Sequence, residues 1–447
     1  MVAEPMHDGV SAFLALLAVT FASAGSVGGG GLLVPLYVLV GHLGRHAIPL
    51  SKATIMGGAI ANAFLRWRAR HPSADRPLIA LDVAVMLEPM TLIGTVIGVT
   101  LNAVFPSWLT TVCLCLLLGY TARKTLVKAF ATWAKENATS LEAAKTTAPP
   151  LLRRLSTSSR LTTEEARLAV AVTETDAFSG GADQIAPSAG NGAALSESLL
   201  SKGVDVAPSA PRALDAIYAR ERTPQPWLLV VLVLAWAIML VSVLLRGGHG
   251  VQPLLFPVPC GGFLYWLIPL VAASLLICLT RAAGHRLAEE HLTKEALKFE
   301  FAAGDPKWAG KNLTLLPLVC TLAGVAAGGL GVGGAMVKGP LMLEMGMQPA
   351  VSSATSTFMI LFTSSLTTLQ FLVGGLLRLD YAIFYACVGA LGTVAGSKAV
   401  GALVKRFKRQ SILALLLGIN IAVSAIVMGI VGGARIVDDV ARAGWGA

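Results

Sequence analysis

Charge is scarce in this sequence. Only 13% of its 447 residues are Asp, Glu, Lys or Arg, and aromatic residues make up 6%. So few charges cannot solvate the surface of a soluble enzyme or hold a chain in disorder. Cysteine is sparse too, and Cys113, Cys115, Cys260, Cys278, Cys320 and Cys387 all fall in or at the edge of apolar runs. They lack the spacings of a disulfide framework or a zinc site and read as packing residues. Cys113 and Cys115, two apart on a helix, point about 200° from each other and cannot share an ion. His7, His42, His46, His71, His249, His285 and His291 lie in loops or at the ends of apolar runs. With no buried His, Ser/His or paired-carboxylate arrangement, an intramembrane enzyme is not expected, and neither a cofactor nor a metal is implied.

What is present is hydrophobic: 55% of the residues, with a mean hydropathy of +0.71. A membrane-spanning helix needs about 20 apolar residues. Runs of that length occur at 9–41, 47–65, 82–104, 108–129, 227–245, 262–281, 312–346, 350–377, 380–403 and 411–433. The expectation is an all-α integral membrane protein of about ten spans, with the lipid bilayer as its main partner. The formal charge of +10 then reports topology rather than affinity for nucleic acid, because excess Lys and Arg collect on cytoplasmic loops. Few positive charges precede the first run and a glycine run follows it, so a retained helix is expected rather than a signal peptide.

The first and seventh runs exceed one span and are interrupted by glycine, at Gly28-Gly29-Gly30-Gly31 and across Gly328–Gly334, so each is expected to break in two. The organisation read from the chain is a first membrane repeat at 1–129 and a disordered linker at 130–224, rich in Ala, Ser, Thr and Pro and nearly neutral. Two inserted spans follow at 225–282, then an exposed helical connector at 283–310. A second repeat at 311–436 and a tail at 437–447 complete it. Arg153-Arg154-Leu155-Ser156 has the form of a basophilic kinase site, a tetrapeptide common by chance. Counting Lys and Arg from a cytoplasmic N-terminus puts Arg66–Arg76, Arg123–Lys128, Arg212–Arg222, Arg281–Lys311 and Arg378 inside. Both termini and the linker are then expected to be cytoplasmic. Lys405–Arg409 falls on the wrong side of that count, and a re-entrant glycine segment would change it.

An internal repeat organises the chain. Val27–Leu36 aligns with Val332–Leu341, matching two glycines, the proline and the apolar positions. Pro49–Thr54 aligns with Pro349–Thr355 with one residue of slippage, and Asp82 and Asp380 each open a later run. A helix broken in mid-membrane frees backbone groups that cannot face lipid. Where the helix restarts, its first N–H groups form an anion site without any cationic side chain. Paired glycine- and proline-interrupted segments in two halves point to the substrate site of a secondary transporter. The candidate site residues are therefore Gly28, Gly29, Gly30, Gly31, Pro35 and Thr54 in the first copy, and Gly331, Gly333, Gly334, Lys338, Pro340 and Thr355 in the second. The bland reading is close helix packing, which suits Gly94 and Gly98 in the third run better.

Ionisable groups inside the apolar runs are Glu88, Lys338 and Glu344. Glu88 is either a proton-coupling carboxylate or the structural partner of a buried base or amide. Lys338 either neutralises a bound anion or snorkels to an interface. Asp82, six positions before Glu88 and about 240° round the helix, does not pair with it and reads as a first-turn residue.

Val27–Leu36, the Gly-Val-Gly-Gly segment before Lys338-Gly339-Pro340, Ser353-Ala354-Thr355 and Leu87-Glu88-Pro89-Met90 together resemble the sulfite exporter TauE/SafE family. Cys260–Trp266, Gly304–Trp308 and Asp380-Tyr381-Ala382 resemble its eukaryotic branch. The resemblance covers both repeats and the inserted spans. It implies a multi-pass exporter of sulfite, sulfonates or related organosulfur anions; protons enter as a partner only under the proton-coupling reading of Glu88. Ala335 and Met336 stand where the first copy has Gly30 and Gly31, so the half-sites are unequal and the anion is expected nearer the first. An uncoupled anion channel, or a receptor or scaffold built on the linker, are the competing functions.

Overall fold

The structure, a computed structural model, describes residues 5–24, 30–39, 46–104, 107–147, 210–246, 262–302, 304–308, 312–329, 334–407 and 411–443. Thirteen helices lie among them: α1 (Pro5–Ala24), α2 (Gly30–Leu39), α3 (Ala47–Arg66), α4 (Leu81–Val104), α5 (Ser107–Thr147), α6 (Ala210–Glu221), α7 (Pro226–Arg246), α8 (Phe263–Ala296), α9 (Asn312–Gly329), α10 (Ala335–Glu344), α11 (Pro349–Val373), α12 (Leu379–Phe407) and α13 (Ser411–Ala443). The described residues hold no strand, only an isolated bridge between Arg70 and Pro77. The all-α membrane class expected from composition holds. Seven of these helices, α3, α4, α7, α8, α11, α12 and α13, are long and apolar enough to cross a membrane.

The chain divides into two units, residues 1–130 with 219–447, and residues 131–218. In the second, the described residues are the continuation of α5 to Thr147 and the first part of α6. The helix thus extends past the point where the linker was expected to begin, while 148–209, including Arg153–Ser156, lie outside the described residues.

Of the three expected spans that have no counterpart among the seven long apolar helices, two are the glycine-interrupted runs and the third, 108–129, lies within α5. Helices α2 and α10 have ten residues each, a rise of about 15 Å and half of a hydrocarbon core of about 30 Å. Trp308, just before α9, donates its Nε1–H to Asp82 at the start of α4 at 3.0 Å. Gln348, just after α10, donates to Ser73 in the 67–80 loop at 2.9 Å. The chain therefore enters through α9 and leaves through α10 at the same end of the bundle, here the loop end. The first repeat does the same at the far end. Ser11 near the start of α1 bonds the Tyr385 hydroxyl at 2.8 Å, and Tyr37 near the end of α2 stacks edge-on against that ring. His46, just before α3, bonds Leu376 O just before α12 at 2.8 Å.

The two hairpins pack in matching ways. In the second, α9 lies along α4, where a Cβ on Gly94 would overlap Thr321 O and one on Gly98 would overlap Val325 O. In the first, α1 lies along α12, where Gly396 meets Thr20 O and Ser23 Oγ in the same manner. Small residues let these backbones approach closely, so Gly94 and Gly98 serve packing as expected. Helices α3 and α11 cross between the hairpins. The inserted pair α7–α8 packs on α4, sharing a core of Leu232, Met239, Leu276 and Met86. Arg246 at the end of α7 bonds the Tyr265 hydroxyl at 2.7 Å and lies 4.0 Å over its ring, closing that pair.

Candidate functional site

Three ionisable side chains meet inside the first unit, all of them buried. Glu88, in the second turn of α4, and Lys338, in the first turn of α10, are both fully buried and pair at 2.5 Å. A charge in such a place is tolerated only with a close partner. The position of Lys338 makes that partner necessary, since a cation near a helix N-terminus faces the positive end of the helix dipole. Gly334 caps α10 without a side-chain bond, and a Cβ there would come within 3.1 Å of the Lys338 methylene next to the ammonium. Glycine at 334 thus leaves room for Lys338 to fold back toward Glu88. The second carboxylate oxygen of Glu88 has no hydrogen-bond partner among the described residues.

Lys52, in the second turn of α3, is 4% exposed, and its ammonium donates to Ala327 O in the last turn of α9 at 3.0 Å. Helix C-termini carry the negative end of the dipole, so this is the favourable place for a cation. A small cavity of about 10 Å³ adjoins it, lined by Lys52, Thr95, Gly334, Thr363, Ser364 and Thr367 beside apolar Ile55, Ala327 and Ile360. Near the tip of the first hairpin lies a cavity of about 20 Å³, lined by Ser23, Thr54, Asn62, Thr357 and Thr393 and again by Ile55 and Ile360. Two small cavities thus share Ile55 and Ile360, where α3 packs on α11. Each has room for about one water, so the structure is closed around both.

Of the residues singled out from sequence, Gly334 and Thr54 line these cavities and Lys338 lies directly behind one. Thr54 also bonds the Tyr37 hydroxyl at 2.8 Å. Gly30 and Gly31 open α2, with Pro35 inside it, so this helix restarts after the first glycines of the run. Pro340 lies within α10. Thr355 points elsewhere, accepting a bond from the Ala80 amide at 3.0 Å as the chain enters α4. Gly28, Gly29, Gly331 and Gly333 lie outside the described residues. Among the described residues, buried charged groups gather at the second hairpin rather than the first, where the anion had been expected. Lys52 was missed. Its signal is a lysine inside the apolar 47–65 run.

A third cavity, of about 120 Å³, opens at the loop end. Arg76 pairs with Asp305, Lys294 with Glu221 at 2.6 Å, and Asp82 accepts from Trp308. Gly304–Trp308, one of the motifs singled out from sequence, therefore packs against the entrance to α4. His71, 8% exposed in the same loop layer, has its pKa lowered by burial and by the nearby Arg76 charge.

No family model matches the chain, and no solved structure matches it. Three proteins from Arabidopsis thaliana are among the curated proteins to which the chain is similar. It is 28% identical to Sulfite exporter TauE/SafE family protein 3, over 94% of this chain and 78% of that one. Identity to family protein 2 is 29%, over 96% and 84%, and to family protein 1 it is 27%, over 96% and 85%.

Proposed function

We propose that this chain, which belongs to the sulfite exporter TauE/SafE family and is a multi-pass membrane transporter rather than an enzyme, exports a small anion of the sulfite or sulfonate class. The observation that carries the reading is the meeting of Lys52, Lys338 and Glu88 at the broken second helix, in a chain otherwise poor in charge. Intramembrane charges kept at such cost mark an ion pathway, and the α10 restart adds the positive end of a helix dipole.

In this reading the anion occupies the half-site at the α9–α10 tip, and the neutral half-site at the first hairpin forms the other side of the pathway. Glu88 carries the coupling proton. Protonation of its carboxylate releases Lys338, unties α10 from α4 and lets the second hairpin move relative to the α3–α11 crossing. Flux in proteoliposomes with sulfite, sulfate, sulfoacetate and taurine tests the substrate class, and Glu88→Gln should lose pH-driven accumulation while exchange partly survives. Unchanged pH-driven uptake at normal protein yield would end the coupling role.

We further propose that the loop end is cytoplasmic, because Arg66–Arg76, Arg123–Lys128, Arg220, Arg222, Arg281, Arg286, Lys294 and Lys307 belong to it. With both hairpins re-entrant, the end of α12, which carries Lys405 and Arg406, joins that end, removing the conflict in the charge count. The first residues of α1 and the last of α13 then lie on the opposite side, which revises the expectation for the termini.

A further inference from the structure

Two lysines are buried at the second half-site, but only one of them faces its cavity. Lys338 is turned to Glu88 and is not part of the lining, whereas Lys52 is. We propose that Lys52 is the cation that holds the transported anion, and that the walls around it select a singly charged anion carrying its own proton donor, such as hydrogensulfite, over a fully deprotonated dianion such as sulfate. The proposal rests on the transport reading above and names the form of anion that site takes.

The selection follows from where the hydroxyl hydrogens go. Thr95 donates to Thr91 O at 2.8 Å, Ser364 to Ile360 O at 2.6 Å and Thr367 to Thr363 O at 2.8 Å, while Thr363 donates to Ile360 O at 3.3 Å. All four hydroxyls lining the cavity spend their single hydrogen on a carbonyl of their own helix, the usual habit of Ser and Thr inside helices. What they turn toward the cavity is lone pairs. An occupant must therefore bring an anionic oxygen for Lys52 and an O–H or N–H for these acceptors. Sulfate brings acceptors only, and a buried acceptor facing acceptors is costly. Charge leads to the same answer. With Glu88 and Lys338 neutralising each other, a monoanion beside the Lys52 ammonium leaves no net buried charge, whereas a dianion leaves an excess negative one.

A purely structural Lys52, capping the C-terminus of α9 through Ala327 O, predicts lost stability but no preference among anions. The wild-type protein in proteoliposomes separates the two without any variant. Isethionate and propanesulfonate are both permanent monoanions of similar size, one ending in a hydroxyl and the other in a methyl group. Isethionate should inhibit sulfite flux at concentrations about tenfold lower than propanesulfonate, since sites built to bond a hydroxyl reject analogues lacking it, and sulfate should inhibit least. Lys52→Gln, which keeps a donor for Ala327 O without the charge, should weaken apparent sulfite affinity by about tenfold or more at normal protein yield. Equal inhibition by the two sulfonates, stronger inhibition by sulfate, or an unchanged sulfite affinity in Lys52→Gln would overturn the proposal while leaving sulfite transport standing. A wild-type protein that moves no sulfite or sulfonate would overturn the transport reading, and this inference with it.

Discussion

Removing one member of the Glu88–Lys338 pair should cost more than removing both. A fully buried charge stripped of its partner destabilises by about 3 to 5 kcal/mol, whereas an apolar replacement of the whole pair is often neutral. Lys338→Met with Glu88→Leu should therefore melt near the wild-type temperature in detergent, and Glu88→Leu alone well below it. If the double variant melts no higher than the single one, the two side chains are not the coupled unit their 2.5 Å contact describes. His71 gives a second test, in the loop layer outside the membrane. Burial lowers its pKa, so the unfolded chain takes up a proton first as pH falls through about 6.5. Stability from neutral His71 is complete above that value and is lost as pH falls from it toward the lower folded pKa. Melting between pH 7.5 and 5.5 should thus depend less on pH in His71→Gln than in wild type, and equal slopes would count against a buried neutral imidazole. Glu88 and Lys338 were legible as charges in apolar runs, but their pairing was not, because they lie 250 positions apart. Lys52 was harder to see, since it lies only six positions into the 47–65 run and its burial depends on elements distant in sequence, with Ala327 of α9 accepting from its ammonium.

Two kinds of glycine separate at the level of the helices. Those at the α4–α9 and α1–α12 crossings allow close backbone contact, and that role was readable from the four-residue spacing of Gly94 and Gly98. Gly98→Val should lower protein yield, because overpacking costs about 1 to 3 kcal/mol and more when backbone must shift. By contrast, a methyl group added at Gly401 would meet nothing within 4 Å, and Gly401→Ala should leave yield unchanged. Gly334 belongs to the second kind. A valine there presses on the Lys338 side chain, so Gly334→Val should abolish flux with the protein still in the membrane, and normal transport in that variant would return the glycine segment to a packing role. Sequence could not decide whether the runs at 9–41 and 312–346 span once or turn back, because their lengths suit one long helix or two shorter arms equally. The contacts of Trp308, Gln348, Ser11 and His46 with their distant partners decide it.

For the molecule as a whole, two oppositely facing hairpins fix which segments share a side of the membrane. The chain leaves the first unit after Phe130 and returns at Ala219, and Arg222 bonds Asp75 and Arg70 in the 67–80 loop. The linker should thus emerge on the side of that loop, together with the link from α12 to α13, while the N-terminus should be on the other side. Each part is measurable separately. Asn137-Ala138-Thr139 is a glycosylation sequon, readable only if it reaches a lumenal or extracellular compartment. It should stay unmodified in a eukaryotic membrane, whereas an acceptor sequon added ahead of Pro5 should be glycosylated. Single cysteines introduced at Arg68 and Arg406 in a background with the six native cysteines replaced should react with an impermeant maleimide from the same side. Were the N-terminal tag and a reporter in the linker to share a compartment, the first hairpin would have to cross the membrane. The pairing of Ser11 and Tyr37 with Tyr385 at one end of the bundle would then have to be given up as well.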